Sequence, residues 1–341
     1  MKKIYIIIGV LTVLLAGGGV YLQYFSDGDS SLTTESGKQE AGDLTLEPLG
    51  PAPEFAGISN WLNSEALTME QLRGKVVLID FWTYSCINCI RTLPYITEWQ
   101  RKYSEKGLVI VGVHTPEFEF EKDAGNVQTA LKRHGIEYPV AQDNNYRTWR
   151  AWSNRYWPAK YLVDQNGQVV YYHFGEGDYD VTEEAIQKLL DLENVGFSQV
   201  ESERPGDVKT PEIYFGTLRN QNFAAGLPSD GVAEYTLPKN LSDNTFALEG
   251  QWEFTPEYSS LVSGQGKIRL NYHAEKVFMV AESSFNTPVR IRTYVDGKLY
   301  GEVTITDSDL YRLVEEEQSG DHVLEIEILD TGLKAYTFTF G

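Results

Sequence analysis

Between Lys75 and Gly107 the chain runs from KVVLIDFW, an apolar stretch of buried-strand length, through Thr-Tyr-Ser into Cys86-Ile-Asn-Cys89 and a helical pattern. A dithiol at such a strand–helix junction narrows the choice of fold more than any other segment, because Cys86 and Cys89 are the only cysteines in 341 residues. A structural zinc site needs four ligands, and His114, His134, His173, His273 and His322 lack the spacing to complete one. A disulfide scaffold needs more cross-links than one three-residue loop supplies. Redox chemistry remains. At a helix N-terminus the unpaired N–H groups and the macrodipole stabilise negative charge, which suits Cys86 to be the attacking thiolate. Cys89, one turn on, faces the same side and resolves the mixed disulfide by internal attack.

The pattern around this junction is regular. The segment from Ile87 to Gly107 reads as a helix, LVIVGVHT as a second buried strand, AGNVQTALKRHG as a helix, PVAQD as a short strand and YRTWRAW as a short helix. KYLVDQ and QVVYYHF form strands joined through Asn166-Gly167, and VTEEAIQKLLDLE (181–193) is a final amphipathic helix. The order β-α-β-α-β-α-β-β-α predicts an α/β domain, a mixed central sheet with helices on both faces. After residue 195 the character changes. KIRLNYHA, KVFMVAES, VRIRTYV, GEVTITD, HVLEIEIL and KAYTFTF alternate apolar and polar residues, with Asp296-Gly297 as a hairpin turn. They predict an all-β sandwich.

With 42% hydrophobic residues, the chain is long enough for two folded domains. Twenty-nine basic against 49 acidic residues give a net charge of −20, which repels phosphate and excludes electrostatic capture of nucleic acid. At the N-terminus Lys2 and Lys3 precede an uncharged run over residues 4–26, long enough as a helix to cross a ~30 Å hydrocarbon core. Residues 1–26 are expected to be a membrane anchor that places the rest of the chain outside the cytoplasm; cleavage as a signal peptide is the rival. The expected organisation is then a tether (27–47), the α/β domain (48–195), a linker (196–210) and the β-sandwich (211–341).

Strand, FWTYSCINC and helix together resemble the thioredoxin layout. Asp80 lies six residues before Cys86, where thioredoxins keep a buried acid that manages a proton for the second cysteine. Pro94 lies five after Cys89, where they kink the helix, and Trp157-Pro158 stands where they place a cis-proline facing the disulfide. Lacking an N–H, Pro158 would let a substrate strand pair with the neighbouring backbone. Ile87 and Asn88 replace the usual Gly-Pro, so neither reactivity nor potential carries over, and Trp157 is larger than the usual residue there. The phrases APEFAGISNWLNS, LRGKVVLIDFWTYSCINC, VGVHTPEFEFEK and RYWPAKYLVDQNG are similar to the thioredoxin-like part of DipZ-type proteins, near the TlpA and ResA thioredoxins. TPEIYFGTLRNQNF, GQWEF, DLYRLVE and GLKAYTFTFG resemble the C-terminal domain of the same proteins, a jelly-roll resembling carbohydrate-binding modules.

The resemblance implies a thiol–disulfide oxidoreductase with a redox-active Cys86–Cys89 disulfide and no other cofactor or metal. Its partners would be disulfide-containing exported proteins and a separate membrane electron donor of the CcdA/DsbD type, since one hydrophobic segment stands where DipZ-type proteins often carry an electron-conducting membrane domain. Tyr84, Ile87, Asn88 and Trp157 would shape the substrate groove. His114 and Glu117 would either relay a proton or brace their loop. Cell-wall glycan is a further candidate partner through Tyr214, Phe215, Trp252 and Tyr272. Two alternatives stand beside this reading. A thiol peroxidase would use P-x3-T-x2-C, of which Thr83 fits and Ile79 does not; a surface glycan- or protein-binding protein would keep the thioredoxin fold as a scaffold.

Overall fold

The computed structural model describes residues 44–203, 205–285 and 287–341. The proposed anchor and nearly all of the tether lie outside these residues.

A seven-stranded mixed sheet is built around β3 (Val76–Trp82), every residue of which is buried. It pairs in parallel with β4 (Leu108–His114), which pairs in parallel with β5 (Val140–Gln142). On its other side it pairs antiparallel with β6 (Ala159–Val163), followed by β7 (Gln168–Phe174). Two short strands close the edges: β1 (Gly50–Pro51) beside β7 and β2 (Asn60–Leu62) beside β5. Neither was expected, since two or three residues carry no readable alternation. The β6–β7 turn is the expected hairpin, with Gly167 at φ 74° and the Gln168 amide donating to the Asp164 carboxylate at 2.7 Å.

Alternation along β3 sends Val77, Ile79 and Phe81 to one face of the sheet. There Phe81 packs edge-on against Trp149 of α3 (Arg147–Ala151) at 5.8 Å. α1 (Ile87–Tyr103) packs alongside α4 (Tyr179–Leu189), with Tyr95 stacked on Tyr179 at 3.6 Å and the Lys102 ammonium 2.7 Å from Glu183. α2 (Ala124–Arg133) connects β4 to β5 and is capped by the Asp123 carboxylate on the Asn126 amide.

The remaining chain forms an eight-stranded antiparallel sheet wrapped around its own core, consistent with the expected sandwich. β8 (Ile213–Tyr214), β9 (Gly231–Tyr235) and β10 (Phe246–Phe254) precede β11 (Ser259–Ser283), which is 25 residues long. β12 (Val289–Val295), β13 (Lys298–Ile305), β14 (Asp309–Ile328) and β15 (Leu333–Phe340) come after it. β11 unites KIRLNYHA and KVFMVAES, which read as two strands. The break in alternation near Glu275 is a register shift against β14 and not a turn. On one side β11 pairs with β14 over most of its length; on the other it pairs with β10 along its first half and with β15 mainly along its second. The β12–β13 turn has Asp296 and Gly297 both at positive φ, 51° and 75°, as a type I′ hairpin requires.

The two sheets meet along the loop after β4. Phe118 and Phe120 pack against Tyr336 at 5.1 and 4.8 Å, joined by Val280, Tyr258 and Leu310. That contact sets the surroundings of the dithiol.

Candidate active site

β3 ends at the centre of the sheet and delivers Thr83, Tyr84 and Ser85 to the start of α1. Cys86 is the N-cap of that helix (φ −85°, ψ 116°), and its sulfur accepts from the Cys89 amide at 3.4 Å. Sulfur thus stands where a Ser or Asp oxygen usually satisfies an orphan N–H. Both cysteines are free thiols, Cys86 half-buried and Cys89 buried. The exposed edge of the pair is therefore Cys86, as attack on a protein disulfide requires. Burial pushes the Cys89 thiol well above its ordinary range, and the neighbouring Cys86 sulfur adds to the effect. Pro94 lies inside α1, and the Thr97 hydroxyl donates to the Leu93 and Pro94 carbonyls next to it.

Asp80 lies beneath the pair. Both carboxylate oxygens are buried without a hydrogen-bond partner, and burial raises its pKa to about 6 against the opposing pull of Lys160. Lys160 is equally buried and stands directly opposite Asp80 in the β3–β6 register. Its ammonium donates to the Gly175 carbonyl at 3.2 Å and lies 5.7 Å from the Tyr179 ring centre. Burial lowers the Lys160 pKa, while the charges of Asp80 and then Cys89 oppose that fall. Three groups that exchange protons are thus held within electrostatic reach of one another, away from water. Lys160 was not singled out from the sequence. A lysine at a fully buried position of a central strand was the available signal.

Trp157-Pro158 is a cis peptide. Pro158 is buried and its carbonyl accepts from Gly175, while the half-buried Trp157 ring rests 4.3 Å from Trp149 and donates to the Thr115 carbonyl at 3.1 Å. Asn88 is held by Arg91, which grips the Glu176 carboxylate through two bonds of 2.8 Å and donates to Asn88 Oδ1 at 2.7 Å. Ile87 is buried beside Cys86.

Tyr84 departs from expectation. Its ring is buried and stacked on His114 at 5.8 Å, and its hydroxyl donates to the Ser308 carbonyl of the second sheet. It pins the two halves of the molecule together and does not line an open groove. His114 is buried, and desolvation lowers its pKa to about 3, which keeps the imidazole neutral at physiological pH. Glu117 braces its loop: its carboxylate accepts from Arg219 at 2.6 Å, and the guanidinium stacks 3.8 Å over the ring of Tyr214, whose hydroxyl donates to Glu212 at 2.6 Å. Three of the four aromatics offered as candidates for sugar binding fill the second core, Phe215, Trp252 and Tyr272 each being at most 1% exposed, and the ring of Tyr214 lies under the Arg219 guanidinium. Tyr272 shares the buried face of β11 with Ile268, Leu270 and Ala274, as alternation with Lys267, Arg269 and Asn271 implies.

Glu121, also unnoticed in the sequence, is fully buried and accepts from the Ser85 hydroxyl at 2.6 Å and the Phe118 amide at 3.1 Å. Burial, with the nearby Glu117 charge, raises its pKa to about 7. It fixes the residue immediately before the attacking sulfur.

Comparison with known proteins agrees with this geometry. Residues 50–190 match the Redoxin family model and residues 210–341 the model described as thioredoxin like C-terminal domain. The chain is 40% identical over 311 residues to Protein DipZ of Mycobacterium tuberculosis, which covers 88% of this chain and 44% of that protein. The chain thus spans less than half the length of that relative. Thiol-disulfide oxidoreductase YkuV of Bacillus subtilis is 35% identical over 141 residues, 41% of this chain and 94% of YkuV. Among solved structures, a putative thiol:disulfide interchange protein DsbE from Chlorobium tepidum is 28% identical, covering 43% of this chain and 99% of that one at a TM-score of 0.38. Such oxidoreductases work through a redox-active cysteine pair, generally without a cofactor, on disulfide-containing proteins. The chain belongs to the thioredoxin-like thiol–disulfide oxidoreductases, and within them to the DipZ type.

Proposed function

We propose that the protein reduces disulfides in exported proteins from an extracytoplasmic position, tethered to the membrane by residues 1–26. The Cys86 thiolate attacks one sulfur of the substrate disulfide, and the other leaves as a thiolate. Cys89 passes its proton to Asp80 and attacks the Cys86 sulfur, releasing the second substrate thiol. Two electrons have then moved from the dithiol to the substrate, and a Cys86–Cys89 disulfide remains. Pro158 leaves the adjacent backbone open to pair with a substrate strand. A membrane electron donor of the CcdA/DsbD type would return the protein to its dithiol form.

The observation that carries this reading is the buried, unbonded Asp80 carboxylate beneath a buried Cys89 whose thiol is held protonated. The reducing direction rests on the likeness to DipZ- and ResA-type proteins. The tether rests on the uncharged run over residues 4–26 behind Lys2 and Lys3. Ile79, where a thiol peroxidase has proline, lies buried in the middle of β3, and peroxide reduction gains no support from the site.

Equilibration against dithiothreitol is expected to give a potential near that of thioredoxin, about −270 mV. A value approaching about −120 mV, as in DsbA, would reverse the direction. In cells, the full chain should sediment with membranes and be open to protease added outside; protection from that protease would overturn the placement.

A further inference from the structure

Five large apolar side chains are exposed among the described residues up to 203, and four of them, Leu49, Tyr156, Tyr172 and Phe174, lie along one edge of the first sheet. The Phe174 ring stands 5.0 Å from Tyr156 and 4.9 Å from Tyr172, so the three rings make one continuous surface. In the β6–β7 register Phe174 lies opposite Ala159, the residue after Pro158, and Tyr172 lies opposite Tyr161. Leu49 marks the far end, where its amide donates to the Val169 carbonyl at 2.8 Å. At ~3.3 Å per residue, the band along β7 from Val169 to Phe174 is about 17 Å long. Single exposed aromatics are ordinary, whereas a contiguous run of them marks a surface that meets a partner.

Three features indicate which partner. Both tyrosines join the band through their rings, while their hydroxyls make no hydrogen bond among the described residues and are left for polar groups outside the protein. Arg155, exposed beside Tyr156, has no carboxylate partner among the described residues, and a guanidinium pairs well with phosphate. The chain also enters the fold at this edge. β1 pairs with β7, and the 23 residues from Asp27 to Leu49 separate it from the uncharged run over 4–26. At ~3.5 Å per residue they cannot hold the edge more than about 80 Å from that run. A substrate strand lying on Pro158 would meet the Phe174 end of the band; Tyr172 and Leu49 continue away from that loop, toward the point of entry.

We propose that this band docks on the membrane surface, with the tyrosine rings among the lipid headgroups and Arg155 on a lipid phosphate. The tether limits the distance of the first sheet from the bilayer, and the band sets its orientation. The Trp157-Pro158 loop, next to Tyr156, is then held at the bilayer surface, on the side where a membrane electron donor lies. The proposal rests on the membrane tether proposed above and goes beyond it.

The test uses the full chain in phosphatidylcholine vesicles that include a phosphatidylcholine with a diazirine near its headgroup. Illumination links that lipid to the side chains it touches, and mass spectrometry maps them. Peptides carrying Tyr156, and Tyr172 with Phe174, are expected to take up about fivefold more label than the one carrying Leu299 and Tyr300, which are also exposed but lie on β13. Tyr172→Ser and Arg155→Glu, both at exposed positions, should each lower the label on the Tyr156 peptide about threefold. In detergent, both variants should reduce insulin within about twofold of the parent, because surface substitutions away from the dithiol leave its fold intact. Equal labelling of the band and of Leu299-Tyr300, in a chain whose residues 4–26 are labelled, would overturn the proposal. So would a loss of about tenfold in insulin reduction by Tyr172→Ser in detergent, which would assign the band to protein substrates. A chain that washes off the vesicles would instead remove the tether reading, and the docking with it.

Discussion

Replacing Asp80 by asparagine is expected to give a chain that is harder to unfold and much slower to turn over. Folding raises the Asp80 pKa from 3.8 to about 6, so the folded state disfavours its charge. The associated stability is fully present below pH 4 and is lost as pH rises through 6. At ~1.36 kcal/mol per unit, the loss reaches about 3 kcal/mol by pH 8. Urea unfolding should therefore show Asp80→Asn gaining about that much on the parent between pH 4 and pH 8. A difference between the two chains that stays constant with pH would contradict the assignment. Activity moves the other way. Without the base for Cys89, resolution of the mixed disulfide should slow by about 100-fold at pH 7 and lose its rise near pH 6. Persistence of that rise in the variant would move the role to another carboxyl, and Glu121, at about 7, is the next to test.

The cysteines should fail in different ways. Cys86→Ser is expected to reduce exchange to the uncatalysed background, because the one remaining cysteine, Cys89, is buried. Cys89→Ser should still attack but not release, so a covalent adduct accumulates on Cys86 and appears by mass spectrometry under non-reducing conditions. An adduct forming on Cys89 in the Cys86→Ser chain, or full turnover by Cys89→Ser, would invert the roles. The half-buried position of Cys86 against the buried one of Cys89 argues for the order given.

The sequence made the first sheet readable because its signals are local. β3 is apolar but for Asp80, Gly167 marks a turn that needs positive φ, and the dithiol sits where strand periodicity gives way to helical periodicity. Asp80, Pro94 and Pro158 were found by their spacing from Cys86 and Cys89. The features that escaped depend on residues far apart in the chain. Nothing near Tyr84 announces Ser308, 224 positions later, and nothing near Glu117 announces Arg219. The segment EFEFEK buries Glu121 because Ser85 and two loop amides satisfy the carboxylate, and none of these partners is marked by a local pattern. The aromatics of the second sheet stayed open between sugar binding and core for a simpler reason. An aromatic on the apolar face of a strand fits a core and a binding platform equally well until the covering layer is known.

The short stretch from Glu117 to Glu121 has one end gripped by Arg219 and the other holding Ser85, with Phe118 and Phe120 between them against Tyr336. Such wiring makes the two halves poor candidates for free exchange between proteins. A foreign second half would have to supply a cation for Glu117, a carbonyl for the Tyr84 hydroxyl and an aromatic bed for two phenylalanines before the nucleophile's own loop kept its shape. Recombination at the linker would then be filtered by chemistry some hundred residues from the crossover, and the two halves should descend together as one inherited unit.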